Sequence, residues 1–330
     1  MNVLFCGKGL GNPPQEGIRN FTISLAKSLN EMGVKVDILT DGICFAEEGI
    51  KYIRLKEVNV KMLLKNYDII HLHGTLLQML RYKITYRNLK FVINRYFPIR
   101  NIFEKMLIKM ADNVIIASKY LMEMYLTTLD EDKISYITLA CEEKFKDIRL
   151  ERDIDVLFNG GVAQSTGIYT LLSVAKCLKN VRFTLALREI DEYPKVRENL
   201  KAYILRNNME NVELLGLQKD IVYLYNKSKI FIQPTENWKV KMLPPLSVFE
   251  AAACNCINLV SDVPWHLELI NTLGGTSFKV GDKNNLSKKI IEILQNYRKY
   301  YNRKLRLKPP HIRNVAKSYL ELYEEVLGYE

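Results

Sequence analysis

The sequence predicts an α/β protein of two doubly wound domains, and three observations carry that reading. Short apolar runs with strand character alternate with segments of helical periodicity along nearly all of the 330 residues. The first apolar run opens into a glycine-bearing loop that feeds a helix. A charged stretch, Glu142 to Arg152, lacks apolar periodicity, and the alternation restarts after it. Such alternation implies parallel sheets covered on both faces. At roughly 100–200 residues per domain, the length suits two.

Residues 2–6 (NVLFC) read as a buried strand, followed by Gly7, Gly9 and Gly11. After Glu16-Gly17, the stretch FTISLAKSLNEM has helical periodicity, Gly33 closes it, and VKVDILT is the next strand. Further strands are expected at 67–74 (YDIIHLHG), 88–94, 111–118 (a helix end running into a strand) and 133–140. Beyond the charged stretch, strands are expected at 155–161, 181–187, 211–216, 229–234 and 255–261. A short apolar helix, LSVFEAAA (246–253), lies between the last two. The predicted domains are 1–148 and 153–312, with Glu142–Arg152 as linker and a final amphipathic helix in 313–330. Ligands in such folds sit beyond the carboxyl ends of the strands, here expected in the cleft between the halves.

Composition narrows the function classes. Hydrophobic residues make up 48% of the chain, enough for two cores, and no apolar run approaches the roughly 20 residues that span a bilayer. The first residues are too short and uncharged for a signal peptide, so a cytoplasmic protein is expected. The six cysteines form no CxxC pair, and Cys254 and Cys256 read as small buried hydrophobes. A net charge of +11 implies a polyanionic partner. Residues 79–110 hold eight cations, Arg81, Lys83, Arg87, Lys90, Arg95, Arg100, Lys105 and Lys109, interleaved with aromatics around one acid, Glu104. That pattern suits an anionic membrane surface, or else an ordinary solvated face. A second cluster runs from Arg298 to Arg313 beside Tyr297, Tyr300 and Tyr301; basic residues with aromatics also mark single-strand binding, although no nucleic-acid motif occurs.

Five segments in order resemble the retaining glycosyltransferases of family 4, which have the GT-B fold. EGIRNFTISLAKSLNEMGVKVDILT is similar to their opening loop, helix and strand. YDIIHLHGT resembles "DVVHxHG", ADNVIIAS resembles "ADxVIAxS", and ITLACEEKF stands where "IPNGVDxxxF" closes the first domain. PPLSVFEAAACNCINLVSD resembles "FGLSVLEAMACGxPVVASD". The resemblance implies two Rossmann-like domains, with the last helix crossing back onto the first. It also implies a nucleotide-sugar donor, a lipid-linked, glycan or other hydroxyl acceptor, and no metal cofactor. The location it implies is cytoplasmic, peripheral on the inner face of the membrane, which fits the membrane-surface reading of residues 79–110.

Glu250 matches the glutamate that binds the nucleotide ribose, where a carboxylate accepts from vicinal hydroxyls. Leu246, Ser247 and Val248 open the same helix after Pro244-Pro245, and its free amides suit a phosphate or sugar oxygen. Gly17 matches the loop glycine near donor phosphate and acceptor, with Gly11 and Arg19 on the acceptor side. His73 matches the histidine at the donor sugar; His71, two residues earlier, shares its strand face. Either histidine also suits a satisfied core position.

Three positions depart from the family pattern. Met242 replaces a glutamate, and in the loop GGVAQSTG, Gly161 and Thr166 stand for the arginine and lysine that hold the pyrophosphate. Arg188, Lys239 and Lys241 are the cations that are candidates to compensate, and Thr235 is a further donor-binding candidate. The alternatives are an unusual donor, or a degenerate protein that binds sugar nucleotide or carbohydrate with little catalysis. Asp153-Ile-Asp155 resembles a metal-binding DxD but sits at a strand entrance and reads as coincidence. A dinucleotide oxidoreductase is poorly supported: the first loop lacks a strict GxGxxG, and Asp41 is the nearest acid to the end of the second strand.

Overall fold

The computed structural model describes every residue except 12–16, 43–48, 75, 163, 189–194, 237–243, 305–308 and 330. The chain divides into two compact units. Unit 1 comprises Met1–Glu142 and Pro310–Glu330, and takes in Leu246; unit 2 comprises Glu143–Val240 and Ser247–Pro309.

Unit 1 begins with β1 (Asn2–Cys6), α1 (Gly17–Glu31), β2 (Lys35–Thr40), β3 (Lys51–Arg54) and α2 (Val60–Leu64). It continues with β4 (Ile69–His73), α3 (Tyr82–Thr85), β5 (Lys90–Arg95), α4 (Ile102–Ile108), β6 (Asn113–Ile116), α5 (Lys119–Leu126) and β7 (Ile134–Tyr136). The strands form one sheet in the order β3-β2-β1-β4-β5-β6-β7, with every pairing parallel. Helices on both faces leave the central strands no polar side, which is why β1 buries Val3, Leu4, Phe5 and Cys6 in succession.

Unit 2 runs β8 (Ile154–Gly161), α6 (Ile168–Cys177), β9 (Phe183–Arg188), α7 (Val196–Arg206), β10 (Val212–Leu215), α8 (Ile221–Lys227) and β11 (Ser228–Gln233). Then come α9 (Leu246–Ala253), β12 (Ile257–Ser261), α10 (Pro264–Leu273), β13 (Thr276–Phe278), α11 (Lys283–Gln295) and α12 (Tyr297–Lys304). Its six strands are also all parallel, in the order β10-β9-β8-β11-β12-β13. The sheets share one plan. In each, the winding reverses beside the first strand, between β1 and β4 and between β8 and β11.

The last helix, α13 (Ile312–Leu327), returns to unit 1. Its buried residues, Ile312, Val315, Ala316, Tyr319, Leu322 and Tyr323, recur every three or four positions and make one apolar stripe. The stripe packs beside α1. Tyr323 Oη hydrogen-bonds His71 Nδ1 on β4, and Tyr319 Oη donates to Asn94 Oδ1 on β5 at 3.2 Å. Ile312 N–H donates to Cys141 O at 3.0 Å, so the chain leaves and re-enters unit 1 at adjacent residues.

Several expectations are corrected. The stretch read as a linker, with the first domain ending at 148, belongs to unit 2 from Glu143 onward. Its charges are hydrogen-bonded into that unit. Arg152 donates to the carbonyls of Tyr225 (3.2 Å), Cys254 (2.7 Å) and Ser228, and Asp147 accepts from Asn255 Nδ2 and Tyr301 Oη at 2.8 Å. A run without apolar periodicity is therefore no sign of free chain when its ions satisfy buried carbonyls. The second basic cluster also turns inward in part: Tyr301 takes Asp147, Tyr300 donates to Glu292 at 2.6 Å, and Arg152 stacks on Tyr301. These rings are engaged in packing, which argues against a stacking platform for bases. The edge strands β3 and β13 were not anticipated; four and three residues are too few to show a period.

Three of the four histidines are buried in neutral form. Burial holds the His71 imidazole at about 3 and His266 at about 4, and burial with the neighbouring His71 takes His73 well below 6.5. These groups refuse protons when folded and accept them when unfolded, so stability is present above pH 6.5 and falls as the pH drops below it. Between about pH 6 and 4.5 the loss approaches roughly 1.4 kcal/mol per pH unit for each histidine. Urea unfolding across this range should show that slope, and it should be shallower in a His71→Gln variant.

Candidate functional site

Each unit presents candidate groups at its switch point, beyond the carboxyl ends of the first strand and its reversed neighbour.

In unit 1 these ends are Cys6 and His73. The loop after β1 is held by Gly9 N–H, which donates to Asp41 Oδ1 at 2.6 Å at the end of β2. Gly9 has φ +66°, a conformation that favours glycine, and a Cβ there would lie 2.5 Å from Arg19 Nη2, the movable end of a flexible side chain. Arg19, on the first turn of α1, thus lies against this loop, with Gly11 buried and Gly17 exposed at the start of α1. Asp41 is committed to the loop itself, which removes the acid that a dinucleotide ribose would need.

His73 is buried at the end of β4, stacked on His71 with ring centroids 4.3 Å apart. Thr22 Oγ1 donates to Ile18 O at 2.9 Å, a bond natural to a threonine within a helix. His73 Nδ1 lies 3.1 Å from Thr22 Oγ1 and 3.4 Å from Asn94 Nδ2. With its pKa well below 6.5, His73 suits hydrogen bonding to a hydroxyl and not proton donation near pH 7. His71 is the core member of the pair, fixed by Tyr323.

In unit 2 the corresponding ends are Gly160-Gly161 and Gln233. Gly167, at φ +75°, closes the loop after β8. A Cβ there would fall 1.7 Å from Pro234 O, so only glycine permits this approach. Glu236 N–H donates to Ser165 O at 3.0 Å, joining the same loop to the segment after β11. Thr235 sits in that segment, its Oγ1 accepting from Gln233 Nε2 at 3.2 Å. Glu236 Oε1 is buried without a hydrogen-bond partner among the described residues.

Glu250 lies on α9 and is only 8% exposed. Its Oε2 accepts from Tyr225 Oη at 2.9 Å, and that hydroxyl accepts from Asn159 Nδ2, also at 2.9 Å. Burial and the Glu250 charge raise the Tyr225 phenol well above its ordinary value, so it remains a donor. Strand β8, helix α8 and helix α9 thus jointly fix one carboxylate. Helix α9 ends where Asn255 adopts φ +59° and Cys256 N–H returns to Ala251 O at 2.9 Å, a left-handed cap. At its other end Leu246 and Val248 are buried and Ser247 is half-buried. The side chains of Leu246 and Val248 therefore belong to the core, and any ligand contact from them comes through backbone amides.

The family description "Glycosyl transferases group 1" matches residues 141–307, just over half of the chain. The chain belongs to this family. No curated protein sequence matches it significantly. Among solved structures, a glycosyltransferase from Rickettsia africae ESF-5 superposes with a TM-score of 0.79 at 18% identity, covering 100% of this chain and 99% of that one. Sucrose-phosphate synthase from Thermosynechococcus elongatus gives 0.79 at 16% identity, with 100% of both chains covered. HepE from Anabaena, in complex with UDP and glucose, gives 0.75 at 13% identity, covering 97% and 98%. These likenesses establish the GT-B fold: two parallel Rossmann-like sheets, with α13 returning to α1.

The chain is thus a group 1 glycosyltransferase, of the family whose donors are nucleotide sugars, and its departures gain a structural setting. Thr166 donates its hydroxyl to Gly161 O at 3.2 Å, a bond within the loop where a lysine is usual. Gly161 pairs in register with Arg188 on β9. Neighbouring strands lie about 4.8 Å apart, so the Arg188 backbone stands one strand over from the position of the absent arginine. The Arg188 side chain, Lys239, Lys241 and Met242 lie outside the described residues. Asp155 accepts from Lys229 Nζ (2.7 Å) and Arg182 N–H (3.0 Å), and Asp153 pairs with Lys227, at the opposite end of β8 from the glycines. Sequence reasoning passed over Asn159, Tyr225, Glu236, Thr22 and Asn94. Tyr225 and Asn159 gave no motif signal, because they act on Glu250 from distant segments.

A Tyr225→Phe substitution removes the bond that orients Glu250. Hydrogen bonds to charged groups contribute about 1.5–3 kcal/mol. Nucleotide affinity should therefore fall roughly tenfold or more, read by titration calorimetry, with the fold intact by circular dichroism.

Proposed function

We propose that the protein transfers a sugar, with retention, from a nucleoside-diphosphate donor held by unit 2 to a hydroxyl acceptor served by unit 1. The observation that carries the reading is the Asn159–Tyr225–Glu250 relay, which fixes a buried carboxylate on the helix where the family binds the ribose. In this reading the acceptor oxygen forms its bond to the anomeric carbon on the face from which the diphosphate departs. The anomeric C–O bond breaks, and the acceptor proton passes to the leaving phosphate. Stabilising that phosphate then governs the rate. In this reading the amides opening α9, the cations of Arg188 and Lys241 and the hydroxyl of Thr235 supply this stabilisation. His73 hydrogen-bonds a sugar hydroxyl, and Gly11, Gly17 and Arg19 shape the acceptor side. Glu236, whose buried carboxylate oxygen lacks a partner among the described residues, takes over sugar hydroxyls left by Met242. A lipid-linked or glycan hydroxyl is the acceptor class. No metal enters this scheme.

Thr166, turned onto its own loop, favours a second reading, a binding protein with little turnover. Thermal-shift screening against UDP-, GDP- and ADP-sugars identifies the donor, because a ligand at 100 times its Kd stabilises the native state by about 2.7 kcal/mol. The shift should vanish in Glu250→Ala. With the matched donor, Arg188→Ala should lower kcat/KM by roughly 10- to 100-fold, the worth of one charge-assisted bond. If the donor binds and neither transfer nor hydrolysis follows, the transferase reading fails and the binding reading stands.

A further inference from the structure

We propose that the outward face of α4 docks unit 1 on an anionic bilayer surface. This helix is apolar on two sides. Leu107 and Ile108 are buried in the unit, while Ile102, Phe103 and Met106 are 71%, 65% and 62% exposed. Positions i, i+1 and i+4 share one helix face, so these three side chains make a continuous patch and not scattered exposures.

The charges around the patch are sorted by sign. Glu104 is the only acid between Gly74 and Ala111. Both its oxygens point back into the unit: Oε1 accepts from Arg95 Nη2 at 2.6 Å, and Oε2 from Arg100 N–H at 2.7 Å. Arg95 is itself buried, and Lys83 is spent on Asp112. Lys90 also lies 3.7 Å from Asp112, and Arg87 is exposed. Arg100 and Lys109 are exposed, Lys105 is half-buried, and exposed Arg81 ends the 3₁₀ turn Leu77–Arg81 that packs against α4. Arg100, Lys105 and Lys109 thus flank the apolar patch along the chain and Arg81 ends the turn packed against α4, with no acid but Glu104 between Gly74 and Ala111.

An apolar patch flanked by cations complements the acyl boundary and the phosphate headgroups of an anionic membrane. A second copy of this chain complements it poorly, because a two-fold contact would bring the same cations face to face. Among the described residues no helix is long and apolar enough to cross a bilayer, so the contact is superficial. The patch follows directly on the strands that carry His73 and Asn94, since the 3₁₀ turn starts four residues after His73 and α4 lies beyond β5. Resting on the transferase reading, this places a lipid-borne hydroxyl near the acceptor-side strand ends.

Vesicle binding is read without donor or acceptor, so it succeeds or fails separately from the transferase reading. The protein should sediment with vesicles of phosphatidylcholine containing roughly one-third phosphatidylglycerol, and not with phosphatidylcholine alone. High salt should release it. The variant Ile102→Ser/Phe103→Ser/Met106→Ser should bind at least about tenfold less. A Phe103→Trp variant, which leaves the patch apolar, should shift its emission to the blue on adding the anionic vesicles. The proposal is overturned by absent sedimentation, by an unshifted tryptophan, or by undiminished binding of the serine variant. It is also overturned if the serine substitutions change the oligomeric state in sedimentation velocity while vesicle binding persists, since the patch would then be a protein contact.

Discussion

Two tyrosine hydroxyls on the last helix hold unit 1 together, and much of the architecture depends on where they end. Tyr323 reaches His71 on β4, and Tyr319 reaches Asn94 on β5, both inside the sheet's covered face. A buried polar group costs free energy unless bonded, so each tyrosine and its partner is satisfied only when α13 occupies this position. The register of α13 is thereby specified more sharply than an apolar stripe alone would allow. Because α13 follows unit 2 in the chain, unit 2 is an insertion into unit 1, leaving at Glu142 and returning at Pro310. The bond from Ile312 N–H to Cys141 O pins the two crossings together.

The same network explains why one histidine is structural and its neighbour is a site candidate. His71 and His73 share a strand face by the two-residue period of a β-strand, and their rings stack. Tyr323 engages the inner ring, whereas the outer ring is held by Thr22 from the first turns of α1. Both stay neutral for the same cause, burial. Neutrality suits a reaction in which the leaving phosphate takes the acceptor proton, because the protein then needs hydrogen-bonding groups and cations more than a titrating acid. Unit 2 solves its own positioning problem in parallel fashion, with Tyr225 standing to Glu250 as Thr22 stands to His73.

Much of this was legible before any coordinates. Apolar runs bounded by glycine or charge marked eleven of the thirteen strands, and LSVFEAAA coincided with α9 residue for residue. The edge strands β3 and β13 were missed because pairing with a neighbour, not local pattern, makes them strands. The linker was misread because Asp147 and Arg152 look solvated in one dimension. Their partners, at Tyr225, Ser228, Cys254, Asn255 and Tyr301, lie dozens of residues away. Motif matching singled out Glu250 and His73 as candidates, but not the groups bonded to them. A positioning residue is chosen for its reach across the fold, and many residue types and origins satisfy that need. Arg188 is instructive: the sequence offered it as a candidate cation, and only the register sets its backbone beside Gly161.

Charge shows the same limit from another side. A net charge of +11 pointed to a polyanion, yet a sum over residues cannot tell a cation that binds a partner from one that binds the protein. In the first basic segment Arg95 and Lys83 are consumed by Glu104 and Asp112, and in unit 2 Arg152 is consumed by three carbonyls. Burial of these ions locks β5 to α4 and knits the charged stretch to unit 2, a structural use with no ligand in view. It also turns the Glu104 carboxylate back into the unit, which leaves Arg100, Lys105 and Lys109, among the described residues, as the unpaired charges flanking the apolar face of α4 along the chain. One inward ion pair therefore does two things: it fixes the helix, and it determines which sign of charge that helix offers to the outside.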